Sequence, residues 1–451
     1  MPDALTGTVP ADWELTTLGE VCVRGGGDIQ TGPFGSQLHA SDYVSVGIPS
    51  IMPQNIGDNR IVADGIARIS EADARRLERY LVRPGDIVYS RRGDVERRAL
   101  VRDEQDGWLC GTGCLRVRLG EGIVEPAFAA YYLAHPAVRA WIVQHAVGAT
   151  MPNLNTAIIS AVPFALPPLP EQRHIARVLG ILDDKIELNR RMSHTLESIA
   201  RAIFKSWFVD FDPVRKKMEG KAGGELGLPP SLAALFPDQL DPSTDAPEVW
   251  PVTPLGQLVT ASRRIVSPAE IADEVIDHYS IPAFDDGRMP TVEEGSAIKS
   301  NKFLVEDGII LVSRLNPRIP RVWFPRPRGR RCVCSTEYLV LSPEPQVTPE
   351  FIYGLLCSES FGDELASRVT GTSGSHQRVK PGDALSIQVV LPPPPAIEQF
   401  SEVTAPLLRR AGHCLDESER LASVRDAILP RLLEGSFWRH DGRVSRGEVA
   451  P

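Results

Sequence analysis

The residues with the clearest chemical potential are arginines, and they are grouped in two segments of the chain. In the second half, seven arginines fall within eighteen residues that contain no Asp or Glu and that include Trp323 and Phe324. The planar guanidinium suits phosphate oxygens and the O6/N7 edge of guanine, so this segment predicts a nucleic-acid contact. A solvated, arginine-rich hairpin is the alternative interpretation. The seven residues are Arg314, Arg318, Arg321, Arg326, Arg328, Arg330 and Arg331.

Further candidate contacts lie in the first half and in two glycine-containing loops. The first-half arginines, Arg91 to Arg102, are interrupted by Asp94 and Glu96. The loops supply Ser, Thr, Asn and His side chains that suit phosphates and base edges, although turn chemistry alone also explains them. Residues 30–37 and Gln54-Asn55 are secondary candidates. We predict DNA contacts by Arg91, Arg92, Arg97, Arg98, Thr150, Asn153, Asn155, Arg314, Arg318, Arg321, Ser373, Ser375 and His376.

No catalytic motif accompanies these residues. The sequence lacks a Gly-x4-Gly-Lys-Ser/Thr phosphate loop, the Asn/Asp-Pro-Pro-Tyr/Phe of amino-methyltransferases, His-Glu-x-x-His and Gly-x-Ser-x-Gly. Asp183-Asp184-Lys185 is similar to nuclease carboxylate–lysine sets, but it falls in a predicted helix and we interpret it as structural. Seven scattered cysteines without zinc-ligand spacing indicate reduced thiols. We therefore predict a binding protein with no catalytic residues, no metal and no cofactor of its own.

The composition is that of a folded protein with an excess of acid. Its 451 residues are 42% hydrophobic and 24% charged, which excludes a largely disordered chain. Because 49 Lys and Arg face 58 Asp and Glu, the net charge is −9, which argues against a uniformly basic coat on nucleic acid. Local arginine clusters instead suggest that the chain discriminates between sequences while partners supply much of the electrostatic binding. With no visible secretory signal or membrane-length apolar run, we expect a cytoplasmic location.

An internal repeat defines the elements that must position the candidate residues. Residues 85–91 recur at 308–314, and the same offset of 223 relates the loop at Gly148 to the loop at Gly371. An opening Trp with Leu-Gly and a Leu-Pro-Pro stop also recur, at offsets of 237 and 225. Each half therefore has a variable stretch, a buried strand ending in Ser-Arg, a glycine loop, a proline stop and a helix. Equal frameworks with unequal loops indicate one scaffold that presents two surfaces.

Two amphipathic helices follow the proline stops. Apolar residues recur at alternating steps of three and four, with polar residues in the middle of each seam. Since similar halves related by a pseudo-two-fold axis place such helices antiparallel, we predict an antiparallel coiled-coil pair. Pro406 predicts a kink or a late start in the second helix. The predicted seams are Ile175, Val178, Leu182, Lys185, Asn189, Met192, Leu196, Ile199 and Ile203, and then Phe400, Val403, Leu407, Arg410, Cys414, Glu417, Leu421, Val424 and Ile428.

The order of these parts resembles the specificity (S) subunit of Type I restriction-modification systems over essentially the whole chain. The resemblance is carried by Leu-Pro-Pro-Leu-Pro-Glu-Gln at 166–172, its counterpart at 391–399, the strand ending at Arg91 and the loop at 148–155. Ala396-Ile397 departs from the family pattern. The resemblance implies two target-recognition domains that each read half of a bipartite DNA sequence. It also implies two modification (methyltransferase) subunits and restriction subunits as partners, which would bind S-adenosylmethionine, ATP and Mg²⁺.

We accordingly predict an α+β fold with two similar globular target-recognition domains separated by an antiparallel pair of long coiled-coil-like helices. The helices are expected to set the spacing between half-sites and to dock the methyltransferase subunits. A pseudo-symmetric protein–protein adaptor that does not read DNA is the alternative function. The predicted boundaries are 1–165 and 250–390 for the recognition domains, 166–217 and 391–437 for the central and distal helical spacers, 218–249 for a linker and 438–451 for a tail.

Overall fold

The chain folds into two compact units, one assembled from two segments that are distant in sequence and one formed by a continuous segment. Unit 1 combines Met1–Ile186 with Glu419–Pro451, and unit 2 is Glu187–Ser418. None of the described helices is long and apolar enough to span a membrane. Four predicted contact residues, Thr150, Ser373, Ser375 and His376, lie outside the described residues. The computed structural model describes residues 10, 12–148, 151–221, 227–243, 245–369 and 377–433.

The described part of unit 1 contains ten strands and five short helices. The strands are β1 (Glu14–Thr17), β2 (Gly26–Thr31), β3 (Tyr43–Val44), β4 (Ile48–Ile51), β5 (Arg68–Ile69), β6 (Ile87–Ser90), β7 (Arg98–Leu100), β8 (Leu109–Cys110), β9 (Cys114–Gly120) and β10 (Pro163–Leu166). The helices are α1 (Leu18–Gly25), α2 (Glu71–Arg76), α3 (Pro126–Tyr132), α4 (Pro136–His145) and α5 (Thr156–Ser160). One sheet has the order β2-β9-β6-β7, a second has the order β3-β5-β4-β8, and β1 pairs with β10.

Strand β6 explains why the repeated segment of the sequence is continuously apolar. Alternate side chains of a strand point to opposite faces of its sheet. Ile87 and Tyr89 pack into one core together with Phe128 of α3, whereas Val88 packs into a second core beneath Ile51 of β4. Because both faces of the sheet are covered, every residue of β6 is buried.

The long helix α6 (Leu169–Phe208) follows β10 and leads into unit 2. Two short helices come next, α7 (Asp212–Met218) and α8 (Pro230–Ala233). The strands of unit 2 are β11 (Val252–Pro254), β12 (Val259–Ser262), β13 (Ile265–Val266), β14 (Val275–Tyr279), β15 (Thr291–Glu294), β16 (Lys302–Val305), β17 (Ile310–Ser313), β18 (Val322–Trp323), β19 (Arg331–Cys334), β20 (Tyr338–Pro343) and β21 (Gln388–Val390). Its remaining helices are α9 (Pro268–Ile271), α10 (Ile281–Asp285), α11 (Pro349–Leu356), α12 (Glu359–Ser367), α13 (Pro381–Leu385) and α14 (Pro394–Leu433).

The sheets of unit 2 repeat the topology of unit 1, which confirms the internal repeat. The order β12-β20-β17-β18 corresponds to β2-β9-β6-β7, and the pair β11 with β21 corresponds to β1 with β10. The second sheet, β13-β16-β19-β14-β15, contains a parallel pair, β14 with β19, as unit 1 does in β4 with β8. In β17, Ile310 and Val312 again face one core and Leu311 another.

The helices α6 and α14 run antiparallel, as predicted. Within unit 2, Asn189 Nδ2 donates to Glu417 Oε2 at 2.9 Å, and the ring of Phe204 packs edge-on against that of Phe400 at 5.6 Å. Residue numbers on α14 therefore fall as those on α6 rise. Within unit 1, Asp183 of α6 accepts a hydrogen bond of 2.8 Å from Arg425 of α14.

The late start predicted for the second helix is wrong. Helix α14 begins at Pro394, and it contains Pro406 in its interior. Ala396 and Ile397 form its first turn, where their N–H groups donate to the carbonyl of Pro393 at 2.9 and 3.3 Å. Both side chains are buried in the core that contains Phe204. The inserted pair therefore anchors the first turn of this helix. The helix starts at Pro394, and the first position of a helix tolerates proline well.

The predicted helical seams match the buried faces only in part, since Ile175, Asn189, Phe400 and Cys414 are buried while other predicted positions are displaced by one residue. Predicted Ile199, Val403 and Val424 are 43%, 43% and 49% exposed, and the next positions along α6 and α14, Ala200 and Thr404, are buried. A search for apolar periodicity misses part of the buried faces because many of their residues are polar. These residues are Gln172, Asp183, Asn189, Ser193, Thr404, Asp416 and Ser418.

Candidate nucleic-acid interface

A hydrogen-bonded turn follows strand β6 and places the first pair of candidate arginines. Ser90 Oγ donates to the carbonyl of Arg92 at 3.0 Å, which closes the turn after the strand. The Arg91 N–H donates to the carbonyl of Gly113 at 2.8 Å, and its carbonyl accepts the N–H of Leu154 at 2.9 Å. These bonds form a main-chain frame that joins the end of β6, the start of β9 and the segment after the glycine loop.

The same frame recurs after strand β17 in unit 2. Ser313 Oγ donates to the carbonyl of Leu315 at 3.0 Å. The Arg314 N–H donates to the carbonyl of Glu337 at 3.0 Å, and its carbonyl accepts the N–H of Val379 at 3.0 Å. Each bond of the first frame has its counterpart here, so Arg91 corresponds to Arg314 and Gly113 to Glu337. The repeat preserves the main-chain frame and changes the side chains that it carries.

Arg91 and Arg92 are available to a partner. Arg91 Nε donates to the carbonyl of Leu154 at 3.2 Å, and its guanidinium lies 5.6 Å from the centre of the Phe34 ring. Arg92 is exposed, and its main chain bridges to Asn153. Within the described part of the chain, neither guanidinium has a carboxylate partner. Both therefore keep an unneutralised positive charge beside the frame.

The other first-half arginines have partners within unit 1. Arg97 Nε donates to Asp94 at 2.7 Å on the surface. Arg98 is only 4% exposed, its Nε donates to the carbonyl of Ala130 at 2.9 Å, and burial lowers the pKa of its guanidinium. Arg98 therefore ties β7 to α3 and does not lie on the surface.

The arginine-rich segment of unit 2 is largely neutralised by acids that are distant in sequence. Arg321 makes a bidentate contact with Asp285 at 2.7 and 2.8 Å, and this hydrogen bonding raises the pKa of Arg321. Arg318 is exposed and has no ion-pair partner among the described residues. The remaining pairs are Arg326 and Arg328 with Asp416 at 3.6 and 3.4 Å, Arg330 with Asp277 at 2.8 Å, and Arg331 with Glu274 at 3.4 Å.

Arg314 differs from Arg91 because an acid stands beside it. The Glu337 carboxylate lies 3.8 Å from Arg314 Nε and accepts two hydrogen bonds from Arg378, at 2.9 and 3.0 Å. The hydrogen bond from Arg378 and its charge hold the pKa of Glu337 below its ordinary value. The Glu337 carboxylate therefore offsets one of the two positive charges at this turn.

The predicted loop asparagines belong to the frame of unit 1. Asn153 pairs through its main chain with Val147, with N–H to carbonyl distances of 2.9 and 3.0 Å. Asn155 is exposed, and its Oδ1 accepts the N–H of Ile158 at 2.8 Å, which caps α5. Both residues are adjacent to Leu154, whose N–H donates to the carbonyl of Arg91. The structure therefore brings them close to Arg91 and Arg92.

Local sequence reasoning missed two residues that shape these turns. Arg263 follows β12 directly and is exposed, and with Arg314 and Tyr338 it lines a hollow of about 340 Å³. Glu337 precedes β20 and offsets one positive charge at the turn. The offset of the repeat is the signal that finds them, because it aligns the ends of corresponding strands in the two halves.

Comparisons with known proteins agree with this architecture. Residues 10–198 match the family described as Type I restriction modification DNA specificity domain. The HindI specificity subunit of Haemophilus influenzae is 23% identical over 86% of this chain and 95% of its own length. The MjaIX specificity subunit of Methanocaldococcus jannaschii is 21% identical over 96% of this chain and 95% of its own length. These matches support a specificity subunit of a Type I restriction-modification system.

A solved structure shows the same fold over the whole chain. The Type I restriction-modification S subunit from M. genitalium aligns with a TM-score of 0.52 at 15% identity, and the alignment covers 95% of this chain and 97% of that one. Specificity subunits are the non-catalytic members of their enzymes, in which catalysis lies in other subunits. Residues 10–198 of this chain match the DNA specificity domain of such subunits.

Proposed function

We propose that this specificity subunit reads a bipartite double-stranded DNA target, one half-site with each unit. The repeated main-chain frame carries this proposal, because it holds an arginine-bearing turn against a second loop twice in one chain. In unit 1 the frame presents Arg91 and Arg92, and in unit 2 Arg318 follows the corresponding turn. Arginine forks on loops of a fixed scaffold suit both phosphate contacts and base readout.

The proposed contact set is narrower than the set predicted from sequence. Arg98 and Arg321 are excluded, since they are buried and bonded within the protein. Arg97 stays in the set because its exposed ion pair with Asp94 costs little to exchange for a phosphate. The retained residues are Arg91, Arg92, Arg97, Asn153, Asn155, Arg314 and Arg318, with Thr150, Ser373, Ser375 and His376 from the sequence.

We further propose that α6 and α14 set the distance between half-sites and dock two methyltransferase subunits. Leu188 and Ile199 on α6 are 56% and 43% exposed. At about 3.6 residues per turn they fall on one face of the helix, three turns apart. An exposed apolar face on a paired helix marks an interaction site. Restriction subunits would complete the assembly, and S-adenosylmethionine, ATP and Mg²⁺ would be bound by these partners.

Selection from a random duplex library tests the reading of DNA. The protein is purified with its methyltransferase subunit, and bound duplexes are sequenced after several rounds of enrichment. We expect one motif that is split by a fixed spacer. A heptad deleted from each helix should change the spacer and leave both half-motifs intact. Failure to enrich any split motif would refute the proposal, and so would duplex binding that does not respond to salt, which is the behaviour of a protein adaptor.

A charge on the apolar face of α6 tests docking. Leu188→Glu and Ile199→Glu should each weaken co-purification with the methyltransferase subunit at least tenfold, because a carboxylate would be buried at the interface. His194→Glu is the matched control, since it adds the same charge on another face of α6, where the side chain is exposed. Equal losses in all three variants would show that docking does not use this face.

A further inference from the structure

We propose that Phe34 is an apolar wedge that enters the base stack of the half-site read by unit 1. The inference rests on the proposed DNA-reading function and adds a specific residue and a distortion of the duplex to it. Phe34 is 53% exposed, although large aromatic side chains are usually covered. It stands beside Arg91, whose guanidinium lies 5.6 Å from the centre of its ring.

The sheet places Phe34 and Arg91 at one edge. Strands β2 and β6 lie on either side of β9 and both run antiparallel to it. After β2, the Gly32 N–H donates to the carbonyl of Cys114 at 3.0 Å, and after β6 the Arg91 N–H donates to the carbonyl of Gly113 at 2.8 Å. The two connections therefore leave the sheet side by side.

A glycine allows the first connection to follow this path. A Cβ at Gly32 would lie 2.1 Å from the carbonyl oxygen of Gly111, which is closer than any real contact. The backbone after β2 thus passes directly over the backbone before β9. Gly32 and Pro33 are buried, and the chain emerges at Phe34.

Hydrogen bonds between Phe34 and Gln37 close the loop that carries the aromatic ring. The Phe34 N–H donates to Gln37 Oε1 at 3.1 Å, and the Gln37 N–H donates to the Phe34 carbonyl at 2.8 Å. Tyr80 Oη donates to the same Oε1 at 2.9 Å, and Arg76 Nη1 donates to the Gln37 carbonyl at 2.8 Å. Leu38 follows in a buried cluster with Tyr80. The main chain that carries the aromatic ring is therefore held in place before any partner binds.

Charge and shape together favour a DNA duplex as the partner of this ring. The unneutralised Arg91 and Arg92 suit phosphates on either side of an inserted ring. Proteins that insert Phe or Leu between base steps accept an unstacking cost of a few kcal/mol and gain contacts with the bent duplex. An enzyme that modifies a base must also take it out of the stack, and a wedge beside it lowers that cost. At the corresponding strand end of unit 2, Ser262 is followed by Arg263, so we assign the wedge to unit 1.

A fluorescent base analogue tests the wedge. Duplexes carry 2-aminopurine at single positions through both half-sites, and fluorescence is measured on binding by the complex with the methyltransferase subunit. We expect a several-fold rise at one step of the half-site read by unit 1. Phe34→Ala should abolish that rise and weaken specific binding about tenfold, while Phe34→Trp should preserve both. Val23→Ala, which removes an exposed apolar side chain from α1, should change neither.

The outcomes separate the wedge from the wider function. If the wild-type complex binds a split target and Phe34→Ala changes neither fluorescence nor affinity, the wedge is wrong and the reading of DNA stands. A wild-type complex that gives no rise at any position also overturns the wedge. If the wild type selects no split target at all, the proposed function itself fails. Circular dichroism and a thermal melt of each variant establish that it is folded.

Discussion

The two turns that follow β6 and β17 share their hydrogen bonds and differ in their charge. Opposite Arg91 stands Gly113, which has no side chain, whereas opposite Arg314 stands Glu337, whose carboxylate offsets one of the charges of Arg314 and Arg378. The first half has the fewer arginines, and yet Arg91 and Arg92 have no carboxylate partner among the described residues. The comparison teaches that the number of arginines in a segment does not measure its basic surface, since that surface depends on which acids the fold brings to it.

The contacts between the helices and each domain show a second difference. In unit 1, the Asp183 carboxylate of α6 accepts hydrogen bonds from Arg425 of α14 at 2.8 Å and from the hydroxyl of Tyr131 in the domain at 2.7 Å. In unit 2 the domain supplies the cations, Arg326 and Arg328, and α14 supplies the acid, Asp416. In unit 1 the domain also supplies an acid, Asp58, which accepts a hydrogen bond of 2.7 Å from Arg425 of α14, so the ion pairs between domain and helix have opposite polarity in the two units.

The largest expected effect separates these two helix contacts. Asp183→Ala should lower the free energy of unfolding by about 2 kcal/mol, because the buried Tyr131 hydroxyl loses its acceptor while Arg425 keeps Asp58 and Asp426. Asp416→Ala should cost only about 1 kcal/mol, since its two arginines lie at 3.4 and 3.6 Å and remain partly exposed. Urea denaturation at neutral pH measures both variants.

Asp184→Ala is the control for this pair of variants. Its carboxylate contacts Arg102 at 3.1 Å and is 69% exposed, so its loss should cost less than about 0.5 kcal/mol. If Asp183→Ala and Asp184→Ala destabilised the protein equally, the buried helix contact of unit 1 would have no special role.

The next effect compares the two corresponding arginines in DNA binding. Arg91→Ala should weaken specific binding by about tenfold to a hundredfold, because one free arginine fork contributes about 1–3 kcal/mol. Arg314→Ala should weaken it less than about threefold, since Glu337 beside it already offsets part of that positive charge. Binding of the methyltransferase complex to the selected duplex gives both values. Equal losses would contradict the distinction between the turns.

Replacement of Glu337 should make the charge of the turn in unit 2 more like that of the turn in unit 1. Glu337→Gln frees Arg314 and Arg378 to contact phosphates, so the slope of log affinity against log salt should steepen by about 1. Glu344→Gln, at a half-buried position directly after β20, is a control of equal charge change. A slope that steepens equally in both variants would indicate a general charge effect.

The smallest effect is a pH dependence confined to unit 2. Arg378 lowers the pKa of Glu337 in the folded protein from its ordinary value of 4.5. A lowered pKa stabilises the fold at pH above 4.5, and this stability is lost as the pH falls through the folded value. Glu337→Gln should therefore cost about 0.5 kcal/mol at pH 7 and nothing once wild-type Glu337 is protonated. Urea denaturation across this range checks it, and an unchanged difference at every pH would contradict the linkage.

Sequence patterns predicted the parts of this molecule that depend on local order. The repeat, the buried strands ending in Ser-Arg and the antiparallel helices follow from spacing, because each is a periodic or duplicated feature. The register of the helices does not follow, since Asp183 and Thr404 are buried and Ile199 is exposed. The ion pairs of the arginines do not follow from sequence patterns either. Arg321 meets Asp285 and Arg326 meets Asp416, and those separations along the chain carry no local signal.

The buried polar contacts of α6 and α14 also limit how these helices can move. Within unit 2, Asn189 meets Glu417, and within unit 1, Asp183 meets Arg425. If one helix slipped along the other by one turn, about 5.4 Å, these two pairs would separate at a cost of several kcal/mol. One base pair advances a duplex by only about 3.4 Å. If the helices set the distance between half-sites, a target with one extra base pair could not be accommodated by sliding, and the spacing would be quantised.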